Sequence, residues 1–152
     1  MYRNLLVMTI LSFISMYILM YAMVDNFINV YPNLNQLYMA AVMTFPMVIL
    51  ELLVMAHMYP YKKINTLLIM ISCMLFAVCF LGIRRQIAID DKEFLKSMIP
   101  HHAGALLMCK FAEIQDPEIK ELCKKITLSQ QEEIDFMHKK LKQTPQHYSA
   151  KV

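Results

Sequence analysis

The residues whose types could do chemistry are concentrated in one short stretch around two adjacent histidines, His101 and His102. Met98 comes about one helical turn before the pair and Met108 about two turns after it, and Cys109 follows directly. Imidazole, thioether and thiol groups are soft ligands, which suit copper, above all Cu(I), better than magnesium, calcium or manganese. The sequence therefore predicts a copper site in this stretch, with Cu(I) as the expected ion.

On an α-helix these side chains all fall on one side, but they are not all at one level. At ~1.5 Å of rise per residue, Met98 and the histidines lie within about 6 Å of one another along the axis, whereas Met108 lies about 10 Å from His101. One ion cannot easily use both ends of that stretch. The spacing therefore predicts two metal sites or a short track.

The elements that must position these residues are two helices joined as an antiparallel hairpin. Asp90 with Glu93 is typical of a capping box, and Asp116-Pro117 is typical of a helix start with proline at its first position. We therefore expect helices over about 91–115 and 117–142, with Pro100 bending the first one just before the histidines. In such a hairpin, facing positions have numbers that sum to about 232, so Cys109 would face Cys123.

Each predicted helix carries a row of residues at alternating spacings of four and three, which is typical of a packing seam. In the first helix the row is Phe94, Met98, His101, Ala105, Met108 and Ala112, and in the second it is Ile119, Cys123, Ile126, Gln130, Glu133 and Met137. Gln130 would then face His102, and Glu133 and Met137 would lie near the level of Met98. A buried polar group needs a partner, so we expect Gln130 and Glu133 to bind the metal or to hold the imidazoles.

Three alternatives stay open for Cys109 and Cys123: a disulfide, two buried thiols, or a pair of soft metal ligands. A disulfide is allowed outside the cytoplasm. The remaining histidines of this region, His138 and His147, are expected to be solvated.

Three apolar windows come before the hairpin, at residues 4–24, 37–58 and 64–83, each near the ~20 residues that a bilayer requires. The expected domains are therefore a three-span membrane domain (1–85), a metal-binding hairpin (86–143) and a flexible tail (144–152). Arg3 and the Lys62-Lys63 pair mark cytoplasmic segments, while residues 25–36 hold no Lys or Arg. This pattern predicts a protein of the cytoplasmic (inner) membrane, with its N-terminus inside and its hairpin outside, although Arg84 and Arg85 argue the other way.

The second span contains a row of methionines that continues to an acidic residue. Met43, Met47 and Glu51 lie at four-residue spacing, and an ionisable group within a span marks a functional site or a structural polar contact. Two alternatives follow, a membrane path for metal or ordinary packing with one buried polar contact. Methionine is a common filler of apolar cores, so ordinary packing is favoured.

The hairpin sequence also resembles a known family, the domain of unknown function 305 family. The matching motifs are Asp91-x-x-Phe94-Leu95-x-x-Met98-Ile99-Pro100-His101-His102-x-Gly104-Ala105-x-x-Met108, Asp116-Pro117-Glu118-Ile119 and Gln130-Gln131-x-Glu133-Ile134-x-x-Met137. The resemblance implies a ferritin-like helical bundle outside the cytoplasm, some members of the family binding copper and supporting copper tolerance. It implies Met98, His101, His102, Met108 and Met137 as ligands.

Many members of that family carry two such hairpins in one chain, whereas this sequence carries one. The expected fold is thus all-α, with three transmembrane helices followed by half of a ferritin-like four-helix bundle. We expect two chains to supply one hairpin each, as a homodimer or a higher homo-oligomer, because two-fold dimers are the commonest closed assembly.

These features favour a membrane-anchored copper-binding protein that sequesters copper, supports copper tolerance or transfers copper outside the membrane. Its expected partners are membrane lipid, its own second copy and a copper-donating or copper-accepting protein. The net charge of +3 is too small to argue for nucleic acid. An accessory or assembly subunit of a larger membrane complex is the alternative, and a ferritin-like metal oxidase is a further one. Because the sequence has no nucleophile–base constellation, we expect no enzymatic activity.

Overall fold

The computed structural model describes residues 1–143, and over that range every regular element is helical. The α-helices are α1 (Tyr2–Leu19), α2 (Leu34–Val54), α3 (Lys62–Arg85), α4 (Asp91–Phe111) and α5 (Pro117–Gln143). Short 3₁₀ turns cover Met20–Met23, Phe27–Asn29 and Ala56–Met58. The all-α prediction is confirmed. The predicted tail, 144–152, lies outside the described residues.

Three stretches are long and apolar enough to cross a membrane, at Tyr2–Met23, Leu34–Val54 and Lys62–Arg85. The three predicted spans are therefore confirmed as candidates. The second is shorter than expected, since α2 ends at Val54 and the 3₁₀ turn follows. Pro60 follows this turn, and Tyr59 before it is extended, as expected for the residue that precedes a proline.

The chain forms two compact units, and their composition differs from the predicted boundaries in one respect. The first, which we call the membrane unit, contains Met1–Met20 and Asn35–Ala88. The second, the hairpin unit, contains Tyr21–Leu34, called the first loop below, and the described chain from Ile89 to Gln143. The first loop was predicted to belong to the membrane domain, but it packs within the hairpin unit. Val24 and Tyr31 of this loop contact the apolar cluster of the hairpin, which the sequence pattern of the helices alone did not indicate.

The core of the hairpin unit is a small apolar cluster between α4 and α5. Its buried members are Ile99, Ala103, Leu106, Ile134 and Met137, with Leu95, Met98 and Leu141 packed against it. Burial of such side chains stabilises the folded state by about 1.5–3 kcal/mol each. This cluster fixes which sides of the two helices face each other.

Both predicted helix starts are confirmed. The Asp90 carboxylate accepts a hydrogen bond from the Glu93 backbone N–H at 2.8 Å, and Asp116 accepts from the N–H groups of Glu118 and Ile119. Glu93 does not complete the capping box, because its carboxylate instead accepts from the Leu34 N–H at 2.8 Å and pairs with Lys96.

The first hairpin helix is shorter than predicted and runs without interruption through its proline. It ends at Phe111 rather than near residue 115, because Ala112 adopts an extended conformation with ψ of 130°. Pro100 has no N–H to donate to the Lys96 carbonyl. Asn33 of the first loop lies against that carbonyl instead, with its Nδ2 atom 3.5 Å from the oxygen.

Candidate metal centre

His102 and Glu133 form the polar contact at the middle of the hairpin. The His102 side chain is held at both ring nitrogens, with Nε2 2.8 Å from the Glu133 carboxylate and Nδ1 2.9 Å from the Met98 carbonyl. Because a carbonyl only accepts hydrogen bonds, Nδ1 carries a proton. His102 is only 8% exposed, so the ring is fixed in position by the hairpin itself.

Glu133 reaches this position from α5 and is itself held there. Its second carboxylate oxygen accepts a hydrogen bond from the Ser129 hydroxyl at 3.0 Å, one helical turn away. The contact between Nε2 and the carboxylate requires a proton on one of the two groups. The hairpin therefore presents one oriented imidazole and one oriented carboxylate to each other.

The predicted seam of α4 is wrong by about one residue. The residues that face α5 are Leu95, Ile99, His102 and Leu106, whereas Phe94 is 51% and Met108 53% exposed. Both rows of α4 repeat with the same four–three spacing and both are largely apolar, so the spacing could not distinguish them. On α5 the predicted row is closer to the structure, because Met137 is buried and Gln130 and Cys123 are partly buried.

His101 therefore lies on a different side of α4 from His102. It is exposed, and its ring centroid is 6.0 Å from that of His102 in an edge-on arrangement. Helical spacing places Phe94, His101 and Met108 along the same side of α4. On α5, the same spacing places Leu122 and Phe136 on the side from which Glu133 approaches His102.

We call this exposed side of the hairpin the open face, with Phe94, His101, Met108, Leu122 and Phe136 as its members. The other side is covered by the first loop, whose Met23 carbonyl lies close to Gly104 of α4 and whose Tyr31 contacts His138 of α5. The two sides differ in chemistry, since the open face carries the exposed soft donors His101 and Met108. A ligand from outside the chain can reach them only on this side.

Within residues 1–143, no three His, Cys, Asp or Glu side chains lie close enough together to hold a metal ion. Of the predicted ligands, His101, His102, Glu133 and Met98 lie near one level of the hairpin. Met137 is buried in the apolar cluster, and Met108 lies about 10 Å farther along the axis. A site on one hairpin would therefore have to combine histidine with thioether donors.

Cys109 and Cys123 form a disulfide, with their Cα atoms 5.4 Å apart. This is one of the three alternatives that the sequence left open, and the predicted facing of these two positions is confirmed. In this state neither sulfur is a thiolate, so neither cysteine is available as a soft metal ligand.

In the membrane unit, Glu51 makes the polar contact that the second alternative predicted. The Tyr59 hydroxyl donates a hydrogen bond to the Glu51 carboxylate at 3.1 Å. Burial raises the pKa of Tyr59 above its ordinary value, and the Glu51 carboxylate raises it further. Met43 and Met47 are 45% and 37% exposed, so neither is packed inside the unit.

The prediction that His138 is solvated was wrong. Its ring is partly buried, with Nδ1 3.1 Å from the Tyr31 hydroxyl and Nε2 2.9 Å from the side-chain Oδ1 of Asn29. Asn29 is held in turn by Asp25 at 2.8 Å. The first loop thus binds α5 through a polar chain, which no pattern within α5 could have indicated. His147 lies outside the described residues.

Comparison with known proteins places this hairpin in a family. The family model of the domain of unknown function DUF305 matches residues 91–152, a range that begins at the first residue of α4. A protein of Acanthamoeba polyphaga mimivirus, described as "Uncharacterized protein L153", is 34% identical over 138 residues, which is 88% of each chain. No solved structure matches the chain. The match of the family model to the hairpin, with the likeness to the viral protein over almost the whole length, shows that the chain belongs to the DUF305 family.

Proposed function

We propose that this protein is a membrane-anchored copper-binding protein that takes up Cu(I) on its hairpin for sequestration, tolerance or transfer. The observation that carries the proposal is the pre-oriented His102 ring, with exposed His101 beside it and Met98 one turn before it. Imidazole and thioether groups together select soft ions. The hairpin is proposed to lie outside the cytoplasmic membrane, where a disulfide such as Cys109–Cys123 persists.

In the proposed site, the residues of this chain have separate roles. The Met98 carbonyl keeps the proton on Nδ1 of His102 and so leaves Nε2 as the nitrogen that can bind a metal. In the absence of metal, this nitrogen contacts the Glu133 carboxylate. When copper binds, the carboxylate would move aside or become a ligand. His101 supplies a further soft donor from the open face, Met98 supplies a thioether from beside the apolar cluster, and Met108 belongs to a second position along the open face.

The open face also supports the proposal of a homodimer. Among its described residues, one chain has no group of three His, Cys, Asp or Glu side chains that could hold a metal ion. A second copy that packs on the open face would add its own His101 next to that of the first. The exposed Phe94 and Phe136 side chains would be removed from water in this contact. Two hairpins joined in this way would make a four-helix bundle of the ferritin-like kind that the family resemblance implies.

The test of copper binding is to measure the Cu(I) content and affinity of the full chain in detergent, using competition with a chromophoric Cu(I) chelator. The double variant His101→Ala, His102→Ala should lose most of the Cu(I) bound by the hairpin. His57→Ala is the matched control, because it removes a histidine from the Ala56–Met58 turn of the other unit and should leave binding unchanged. Unchanged affinity and stoichiometry in the double variant would disprove the site.

The same preparations test the dimer. Mass measurement in lipid nanodiscs should give twice the chain mass, and Phe136→Ala or Phe94→Ala should shift the assembly toward the monomer. A monomer that binds copper at full stoichiometry would contradict the dimer while leaving the copper site standing. Stoichiometric co-purification of a different protein would instead favour an accessory subunit.

A further inference from the structure

We infer that the end of the hairpin holds a second Cu(I) site, formed by Cys109 and Cys123, that opens only when their disulfide is reduced. This inference rests on the proposed Cu(I) function and extends it to residues that the histidine site does not use. The two cysteines come from different helices and already lie opposite each other, with Cα atoms 5.4 Å apart.

The surroundings of the two sulfurs favour reaction with external reagents. Both cysteines are only partly buried, so a reductant and a metal ion can reach them. Met108, which precedes Cys109 in the sequence, is 53% exposed and is also accessible to a metal ion.

The fold of the hairpin does not depend on the disulfide to keep the cysteines together. The apolar cluster of Ile99, Ala103, Leu106, Ile134 and Met137 packs α4 against α5, and the contact between His102 and Glu133 also joins the two helices. Only residues 112–116 connect the two helices, and Asp116 caps the start of α5. Reduction therefore leaves two thiols that face each other on a folded scaffold.

The chemistry balances with a dithiol or phosphine as the reductant. Two electrons from the reductant break the S–S bond, and each sulfur takes up one proton. Cu(I) then displaces the two protons and binds the two thiolates, which are soft ligands suited to it. In the oxidised state the sulfurs are bonded to each other, so the hairpin end cannot take up the ion.

The site is distinct from the histidine site. Cys109 lies seven residues after His102, which is about 10 Å along the helix axis, so one ion cannot join both sets of ligands. The redox state of the hairpin end would thus change how much Cu(I) the protein holds without altering the histidines.

The experiment uses the full chain in detergent, in a Cys73→Ser, Cys79→Ser background that removes the two free cysteines of α3. The protein is reduced with tris(2-carboxyethyl)phosphine, desalted under argon and titrated with Cu(I) against a chromophoric chelator. Reduction should add a Cu(I) equivalent per chain, together with a near-ultraviolet thiolate-to-copper absorption. The variant carrying Cys109→Ser and Cys123→Ser should bind the same amount before and after the reductant treatment.

The outcomes separate this inference from the proposed function. Copper bound by the oxidised protein, with no increase on reduction, would overturn the second site and leave the histidine site intact. Copper bound only after reduction would support the second site and contradict the histidine site. Loss of the helical circular dichroism of the hairpin on reduction would also overturn the inference, because the apolar cluster would then not be sufficient to hold the thiols together.

Discussion

The two compact units of this protein bury their apolar residues to very different degrees. In the membrane unit, the share of buried residues is 6% for the Tyr2–Met23 span and 11% for the Lys62–Arg85 span, but 28% for the Leu34–Val54 span, where Ala40 and Leu52 are buried. In the hairpin unit, Ile99 and Ala103 have no exposed surface. Exposed apolar surface costs about 25 cal/mol per Å² in water, whereas lipid tails are as apolar as leucine. The hairpin unit therefore depends on its internal core, whereas the membrane unit needs only the small cluster of Leu5, Val48, Leu52 and Tyr59 and can leave most of its apolar surface to lipid.

The largest expected effect comes from the core of the hairpin unit. Ile134 is 1% exposed, and Ile134→Ala should lower the free energy of unfolding of the hairpin by about 2–5 kcal/mol, because it leaves a cavity that its neighbours cannot fill. Hydrogen–deuterium exchange of the α4 and α5 amides measures this loss. Leu128→Ala on the same helix is the control and should change stability by less than about 0.5 kcal/mol, since Leu128 is 67% exposed.

Hydrogen–deuterium exchange of the α1, α2 and α3 amides tests the difference between the two units from the other side. Leu19→Ala, at an exposed position of α1, should have little effect on the packing of the membrane unit. A loss as large as that from Ile134→Ala would mean that this span does depend on burial by protein.

An intermediate effect is expected for the contact between the largely buried His102 ring and Glu133, whose side chain is 53% exposed. Glu133→Ala should destabilise the hairpin by about 1–3 kcal/mol, because Nε2 of the largely buried His102 loses its hydrogen-bond partner. Glu132→Ala is the matched control on the exposed side of α5. Denaturant unfolding followed by circular dichroism would detect the difference, and equal effects of the two variants would show that the contact contributes nothing to stability.

The smallest expected effect compares the two glycines of the chain, each of which lies in a helix. A Cβ atom added at Gly104 would lie 3.5 Å from the Met23 carbonyl, an ordinary contact, so Gly104→Ala should stabilise α4 by about 0.5–1 kcal/mol. At Gly82 the added atom would lie 3.1 Å from the Tyr38 ring, so the ring must shift and the gain should disappear. The unfolding midpoints of the two variants measure the contrast, and a matching gain at Gly82 would show that the ring moves freely.

Much of the local structure could be predicted because it depends on neighbouring residues. The three apolar windows, the cap at Asp90 and the start of α5 at Pro117 follow from length, side-chain chemistry and backbone restrictions. The level at which α4 and α5 pair was also predictable, since a short connection fixes it, and the Cys109–Cys123 contact confirms it. Helix ends were less predictable, as the early end of α4 at Phe111 shows.

The sequence by itself thus determined which segments are helices, which could span a membrane and which positions of the hairpin stand at the same level. Only the tertiary structure decided which side of α4 is buried, and with it the difference between His101 and His102. Two rows of α4 repeat with the same spacing, and the choice between them was made by packing against α5 and by the first loop, which is distant in sequence. The spacing of apolar residues indicates that a helix has an apolar side. Contacts between segments that are distant in sequence decide which side is buried and what packs against it.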